Sequence, residues 1–221
     1  MNLQNIKVFI FDLDGLLLDT EIVYNKCWCE AANFCGYNLT YENALELRSL
    51  DSNLAKDFLF KLFGSNFDYA KVKQKRNELM KQYFATNGIT SKKGAKELLN
   101  FCKLKDYKIA IASASDEHQI YEKLNLAGID TKFDFIVSTK SLERGKPYPD
   151  IYIHTCMQLK AEPKEVLVFE DSPNGIKAAY AAGCNVIMIP DLTKPTEEIK
   201  MIIKSFDNLN DFLYNELQKI K

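Results

Sequence analysis

The sequence predicts an α/β protein in which a parallel sheet with helices on both faces is interrupted once by an all-helical block. Three observations carry this. From residue 95 onward, short apolar runs bounded by turn residues alternate with helix-compatible segments, the pattern of a parallel sheet. An earlier run, Val8-Phe9-Ile10-Phe11, is apolar at every position, as in a strand buried on both faces. Between it and the next strand lies a helical block, with no convincing strand from residue 41 to 86, that is far too long for an ordinary crossover.

Taken in order, the first strand delivers Asp12-Leu13-Asp14-Gly15. Strand periodicity puts the two carboxylates on one side, at the carboxyl end where ligands bind in open α/β sheets. Acids so close repel and raise each other's pKa unless a cation is shared between them. The pair therefore predicts a metal. After Leu16-Leu17-Leu18, the run Asp19-Thr20-Glu21 reads as a turn into a helix from Ile22 to about Cys35. Trp28, Ala31, Ala32 and Cys35 are its candidate buried positions, and Gly36 ends it. Residues 41 to 86 read as three or so helices broken near Gly64-Ser65-Asn66, with Gly88 near the return hinge. The expected division is residues 1–17 with 89–221 as an α/β core, and residues 18–88 as an inserted helical domain.

The remainder reads as regular alternation. Ala95 to Leu104 is a helix, and Tyr107 to Ala112 is a strand running into Ser113-Ala114-Ser115. Glu117 to Leu126 is a helix closed by Gly128, and Phe133 to Val137 is a third strand. A helix from Pro149 to Leu159 precedes the strand Val166 to Phe169, which ends at Glu170-Asp171. Asn174 to Ala182 is a helix stopped by Gly183, and Val186 to Ile189 is a fifth strand. The last thirty residues offer one or two amphipathic helices and no motif.

Composition bounds the function. A net charge of −1 gives no basic bias toward nucleic acid. Six cysteines in a chain of 221 residues form no compact framework, and free thiols fit a reducing cytosol. No window approaches the ~18 apolar residues of a membrane span, and the chain reaches Asp12 before a signal-peptide core could form. A soluble cytoplasmic protein, monomeric and with no nucleic-acid or membrane partner, is expected.

Polar residues collect at three strand ends on one sheet edge. Asp12, Asp14, Glu170 and Asp171 make an oxygen-rich cage for a hard divalent cation, Mg²⁺ first among them. Ser113, Ser115 and the turn amides beside them suit phosphate oxygens. Lys146, in a loop held by Pro147 and Pro149, offsets the charge of a phosphate set among acids. Together these describe phosphoryl transfer.

Four motifs stand in register after their strands: Asp12-Leu13-Asp14-Gly15, Ser113, Lys146 in Gly145-Lys146-Pro147-Tyr148-Pro149-Asp150, and Glu170-Asp171-Ser172. On them the chain resembles the haloacid dehalogenase superfamily, and within it the β-phosphoglucomutase-like phosphatases, from Val8 to about Ile189. The resemblance implies a Rossmann-like parallel-sheet core with an inserted all-helical cap. It implies Asp12 as nucleophile forming an aspartyl-phosphate, and Asp14 as acid toward the leaving group and then base toward water. It implies Mg²⁺ held by Asp12, the main-chain carbonyl of Asp14, and Asp171, with Glu170 assisting. Ser113 and the Ala114 amide would hold the phosphoryl group, and Lys146 would pair with it and with Asp12. Arg48 lies where relatives carry a basic cap residue; a substrate contact and a solvated position both stay open for it. Lys75 and Arg76 read as a solvated helix face.

Other signals are set aside. Leu16 to Leu18 lack the oxygens of a calcium loop. Cys27-Trp28-Cys29 has no second ligand pair for zinc, and His118 and His154 are isolated. Asp19 and Thr20 read as hinge residues. The expected activity is hydrolysis of a small phosphorylated metabolite, a sugar phosphate before others. The alternative is a β-phosphoglucomutase-type mutase, which Arg48 favours and Tyr24 disfavours, because mutases of this family place a histidine at Tyr24's position. A dehalogenase would need neither Asp14 nor the cage, and a non-catalytic binding protein would not retain Asp12, Asp14, Lys146 and Asp171.

Overall fold

The computed structural model describes residues 3–50 and 52–217. Its strands are β1 (Val8–Phe11), β2 (Lys108–Ser113), β3 (Phe135–Ser138), β4 (Val166–Glu170), β5 (Asn185–Met188) and β6 (Lys204–Ser205). They form one parallel sheet in the order β3-β2-β1-β4-β5-β6. β1 is central, with Phe11 opposite both Ile111 and Phe169, so the ends of β1, β2 and β4 lie level at one edge.

The side-chain period of two sorts β1 into two cores. Phe9 and Phe11 face one layer with Leu98, Leu99, Phe169 and Phe212; Val8 and Ile10 face the other with Ile151, Tyr152 and Ile176. Phe9, Phe11 and Phe169 stack at centroid separations of 5.1–6.4 Å, and burial of each ring contributes about 1.5–3 kcal/mol as an upper bound. Helices α5 (Ala95–Leu104), α6 (Glu117–Leu126), α7 (Asp150–Leu159) and α8 (Pro173–Ala181) connect the strands, as the alternation predicted. The bounds of α5 and α6 are those read from the sequence.

Four further helices intervene between β1 and α5: Glu21–Phe34, Tyr41–Leu45, Ser52–Phe63 and Tyr69–Asn87. In chain order they are numbered here α1 to α4. They enclose a core of their own around Trp28, Ala31, Leu39, Leu59, Phe67 and Val72. Asp68 caps α4 by accepting from the Lys71 amide at 3.0 Å, and Gly88, at φ 70°, ends it. The two chain crossings run side by side: the Asp19 amide donates to Thr90 O at 2.9 Å and the Lys92 amide to Leu17 O at 2.8 Å.

The C-terminal region holds two helices, within the one or two read there: α9 (Glu197–Ile202) and α10 (Leu209–Phe212), the second continuing into a π-helical turn at Leu213–Leu217. It adds the edge strand β6, which no sequence pattern announced. Residues 218–221 of that reading lie outside the described residues. Among the described residues no helix is long and apolar enough to cross a membrane.

Gly94 shows how tightly this end is built. It precedes α5 at φ 87°, and a Cβ there would lie 2.2 Å from the Asn210 backbone nitrogen. Gly94→Ala is expected to lower stability by about 2 kcal/mol or more through left-handed strain and overpacking. Urea denaturation measures it; a loss below about 0.5 kcal/mol would show that α5 and α10 do not meet this closely.

Candidate active site

The site is assembled where β1, β2 and β4 end. Asp12 follows Phe11 directly, its amide donating to Phe169 O at 3.0 Å, so the backbone leaves the sheet with its carboxylate beside β4. Gly15 turns the chain at φ 86°, and a Cβ there would sit 2.4 Å from Asp171 Oδ2. Only glycine lets the first loop approach the acids of β4 this closely.

Lys146 is fully buried between two strands' acids. Its Nζ donates to Asp12 Oδ1 at 2.5 Å, to Glu170 Oε1 at 2.6 Å and to the Ala112 carbonyl at 3.0 Å. The Tyr152 hydroxyl also donates to Glu170 Oε1. Burial pushes the Asp12 carboxyl up to about 8, with Lys146 pulling it down and Glu170 pushing it further up. Burial likewise pushes Asp171 well above the usual carboxylate range, opposed by Arg48 and reinforced by Asp12 and Glu170.

Asp12, Glu170 and Asp171 bring carboxylate oxygens within 4.8 Å of one another. Asp171 Oδ1 is buried without a hydrogen-bond partner among the described residues. A buried acid with an orphaned oxygen beside two others is a donor set that a hard divalent cation fits. The four-acid cage read from the sequence is corrected here in one respect: the side chain of Asp14 is not part of it.

Asp14 is held by four hydrogen bonds from three side chains. Lys123 Nζ lies 2.8 and 2.7 Å from its two oxygens, the Thr20 hydroxyl donates to Oδ1 at 2.7 Å, and the Ser115 hydroxyl to Oδ2 at 2.8 Å. Burial alone would raise this carboxyl, but Lys123 and these hydrogen bonds more than offset it, and its pKa is lowered. Thr20, read as a hinge residue, is fully buried and touches Asp14. Lys123 was missed. It lies on the inward face of α6 with Ile120 and Leu124, so a lysine in step with two apolar residues was its only sequence signal.

Above the strand ends lies a cavity of about 120 Å³. Asp12, Asp14, Ser113, Ala114 and Ser115 form its floor, and helical residues including Trp28, Tyr69, Lys73 and Arg76 its roof. Arg76 is corrected from its solvated reading: its guanidinium sits 4.4 Å from the Trp28 ring and 5.7 Å from Tyr24, and burial lowers its pKa. Lys75 is a surface residue over Phe34, beside Glu78. Arg48 is buried, and its donors go to Glu21 Oε2 at 3.2 Å, to Thr193 Oγ1 at 3.1 Å and to Asp171.

An oxygen cage, a buried lysine and two aspartates one residue apart at a parallel-sheet edge define a class of phosphoryl-handling enzymes, and the comparisons agree. A sequence model of the haloacid dehalogenase-like hydrolases matches residues 9–189. The chain belongs to that family. It is 29% identical over 177 residues to a phosphorylated carbohydrates phosphatase of Thermotoga maritima, covering 80% of this chain and 82% of that one. It is 28% identical over 205 residues to hexitol phosphatase A of Escherichia coli, covering 92% and 93%. In fold it resembles a crystal structure of β-phosphoglucomutase from Clostridium difficile at a TM-score of 0.83 and 23% identity, covering 97% and 96%.

Removing Lys146 leaves two buried carboxylates facing each other. Lys146→Met is expected to lower stability by about 3–5 kcal/mol. Chemical denaturation checks it, and a loss under about 1 kcal/mol would mean that this ammonium is not the counter-charge of the cage.

Proposed function

We propose that this haloacid dehalogenase-type phosphatase hydrolyses a small phosphorylated metabolite of the sugar phosphate class, with Mg²⁺ bound by Asp12, Asp171 and Glu170. The observation that carries the reading is the division of labour between the two aspartates, one facing Lys146 in the cage and the other facing Lys123 away from it. Mg²⁺, when bound, supplies positive charge that favours the ionised carboxylates and offsets the substrate's phosphate.

Asp12 is the nucleophile. Its carboxylate oxygen attacks phosphorus, the bond to the substrate oxygen breaks, and Asp14 gives that oxygen a proton. Asp14 is ionised beside Lys123 at rest; an arriving phosphate dianion favours the protonated form it needs for this step. In the second half Asp14 takes a proton from the water that attacks the aspartyl-phosphate, and inorganic phosphate leaves with Asp12 restored. Ser113 and the Ala114 amide hold the phosphoryl oxygens, and Lys146 keeps Asp12 oriented.

Residues 18–88 act as a cap. The cavity is lined by the strand ends on one side and by the helical block on the other. Substrate would enter as the helical block swings away about the paired crossings at 17–19 and 90–92. Arg48 is a substrate contact of the closing cap in this reading, exchanging part of its present bonding for the substrate. Hydrolysis of carbohydrate phosphates by the Thermotoga and Escherichia relatives supports the substrate class.

Phosphorus NMR with Mg²⁺, β-glucose 1-phosphate, a trace of the 1,6-bisphosphate and then a panel of sugar phosphates tests the reaction. Release of inorganic phosphate is expected; glucose 6-phosphate in its place would make phosphoryl exchange the activity. Asp12→Asn should reduce turnover to background with the fold intact, and surviving activity would remove Asp12 as nucleophile. Chelation by EDTA should abolish turnover and added Mg²⁺ restore it. Equal rates with and without chelator would refute the metal assignment.

A further inference from the structure

Lys123 has no part in the reaction as written, yet it is buried at 6% exposure against the acid–base residue. Its ammonium meets four acceptors: Asp14 Oδ1 at 2.8 Å, Asp14 Oδ2 at 2.7 Å, Ser115 Oγ at 2.7 Å and the Tyr24 hydroxyl at 2.5 Å. The Tyr24 ring lies beneath it at 4.9 Å. Stability alone gives no reason for a lysine here, because a buried ion pair replaced by well-packed apolar groups is often neutral or stabilising. Ile120 and Leu124 on the same helix face show what would fill the position.

The contacts do supply orientation. With Thr20 and Ser115 also donating, each oxygen of the Asp14 carboxylate accepts two hydrogen bonds at rest, one of which is released when that oxygen takes the proton it delivers. The group cannot rotate without breaking charge-assisted hydrogen bonds. Tyr24 belongs to α1 and Lys123 to α6, so the placement of the acid also depends on α1 being seated.

We propose that Lys123 is a positioning residue for Asp14, fixing the carboxylate where it can exchange a proton with the leaving-group oxygen, and that Tyr24 holds Lys123 in that place. This rests on the acid–base reading of Asp14 given above. Proton delivery matters for an alkyl leaving group and hardly at all for p-nitrophenolate, which departs as an anion. A positioning role therefore separates the two substrates, whereas general loosening of the fold lowers both together.

The experiment compares kcat/KM, which extends through cleavage of the substrate P–O bond, for wild type, Lys123→Met, Tyr24→Phe and Asp14→Asn with Mg²⁺ present. The substrates are p-nitrophenyl phosphate and the sugar phosphate that the NMR panel shows to be turned over. Lys123→Met should lose about 10²-fold on the sugar phosphate and less than about 5-fold on the aryl phosphate. Tyr24→Phe should show the same selectivity with a smaller loss, about 10-fold, and serves alone if Lys123→Met does not fold. Equal losses on both substrates, or none on either, overturn the proposal when Asp14→Asn itself discriminates between them. If Asp14→Asn does not discriminate, the acid–base reading fails and the proposal with it.

Discussion

The site depends on one buried ammonium. Lys146 comes from the loop after β3 and reaches across the sheet edge to Asp12 of β1, Glu170 of β4 and the carbonyl of Ala112 in β2. Its donors are satisfied only when the three central strands are level, a register set by the pairing of Phe11 with Ile111 and Phe169. Desolvating an ammonium without partners costs several kcal/mol, so the lysine tolerates burial only because the acids are there, and the acids only because it is. Apolar stacking beneath, at Phe9, Phe11 and Phe169, holds the strands in that register. Folding and site assembly are one event here.

The second consequence is a separation of two chemically identical side chains. Asp12 and Asp14 are one residue apart, yet the first is pushed up to about 8 and the second is lowered. Burial acts on both; the difference comes from which cation each faces and what else it faces. Asp12 shares Lys146 with Glu170, so its counter-charge is divided. Asp14 is the one carboxylate paired with Lys123 among the described residues, and two hydroxyls donate to it as well. Environments that drive like groups apart are how one site assigns different proton tasks.

Much of this was legible in the sequence, for physical reasons. A strand buried on both faces has no polar residue to spare, so Asp12 and Asp14 after Val8–Phe11 stood out, as did Glu170 and Asp171 after an equally apolar run. Gly94 marks the start of α5, and Asp116-Glu117 with Gly128 mark the two ends of α6. What was lost depends on distance in the chain. Lys123 reaches a residue 109 positions earlier, and its one local signal, falling in step with Ile120 and Leu124 on α6, does not say what it meets. Arg76 looked solvated because α4 is rich in charge, and only the packing of α1 brings Trp28 beneath it. β6 is two exposed residues, too short to carry a period.

The proposed cap motion follows from where apolar and polar contacts fall. Near the crossings, Val23, Cys27, Met80 and Phe84 of α1 and α4 join the core that contains Phe9 and Phe11. Over the site the links are polar: Arg48 to Asp171, Asn174 to the Arg48 carbonyl at 3.2 Å, Lys123 to Tyr24. Rotation about the apolar end would keep the hydrophobic contacts and expose groups that water solvates readily. Opening then exposes little apolar surface, at about 25 cal/mol per Å². Closure, by expelling water from the polar links, strengthens each of them where the phosphoryl group must be held. A lid built in the opposite sense, apolar over the site and polar at the hinge, would open reluctantly and close without selectivity for a charged ligand.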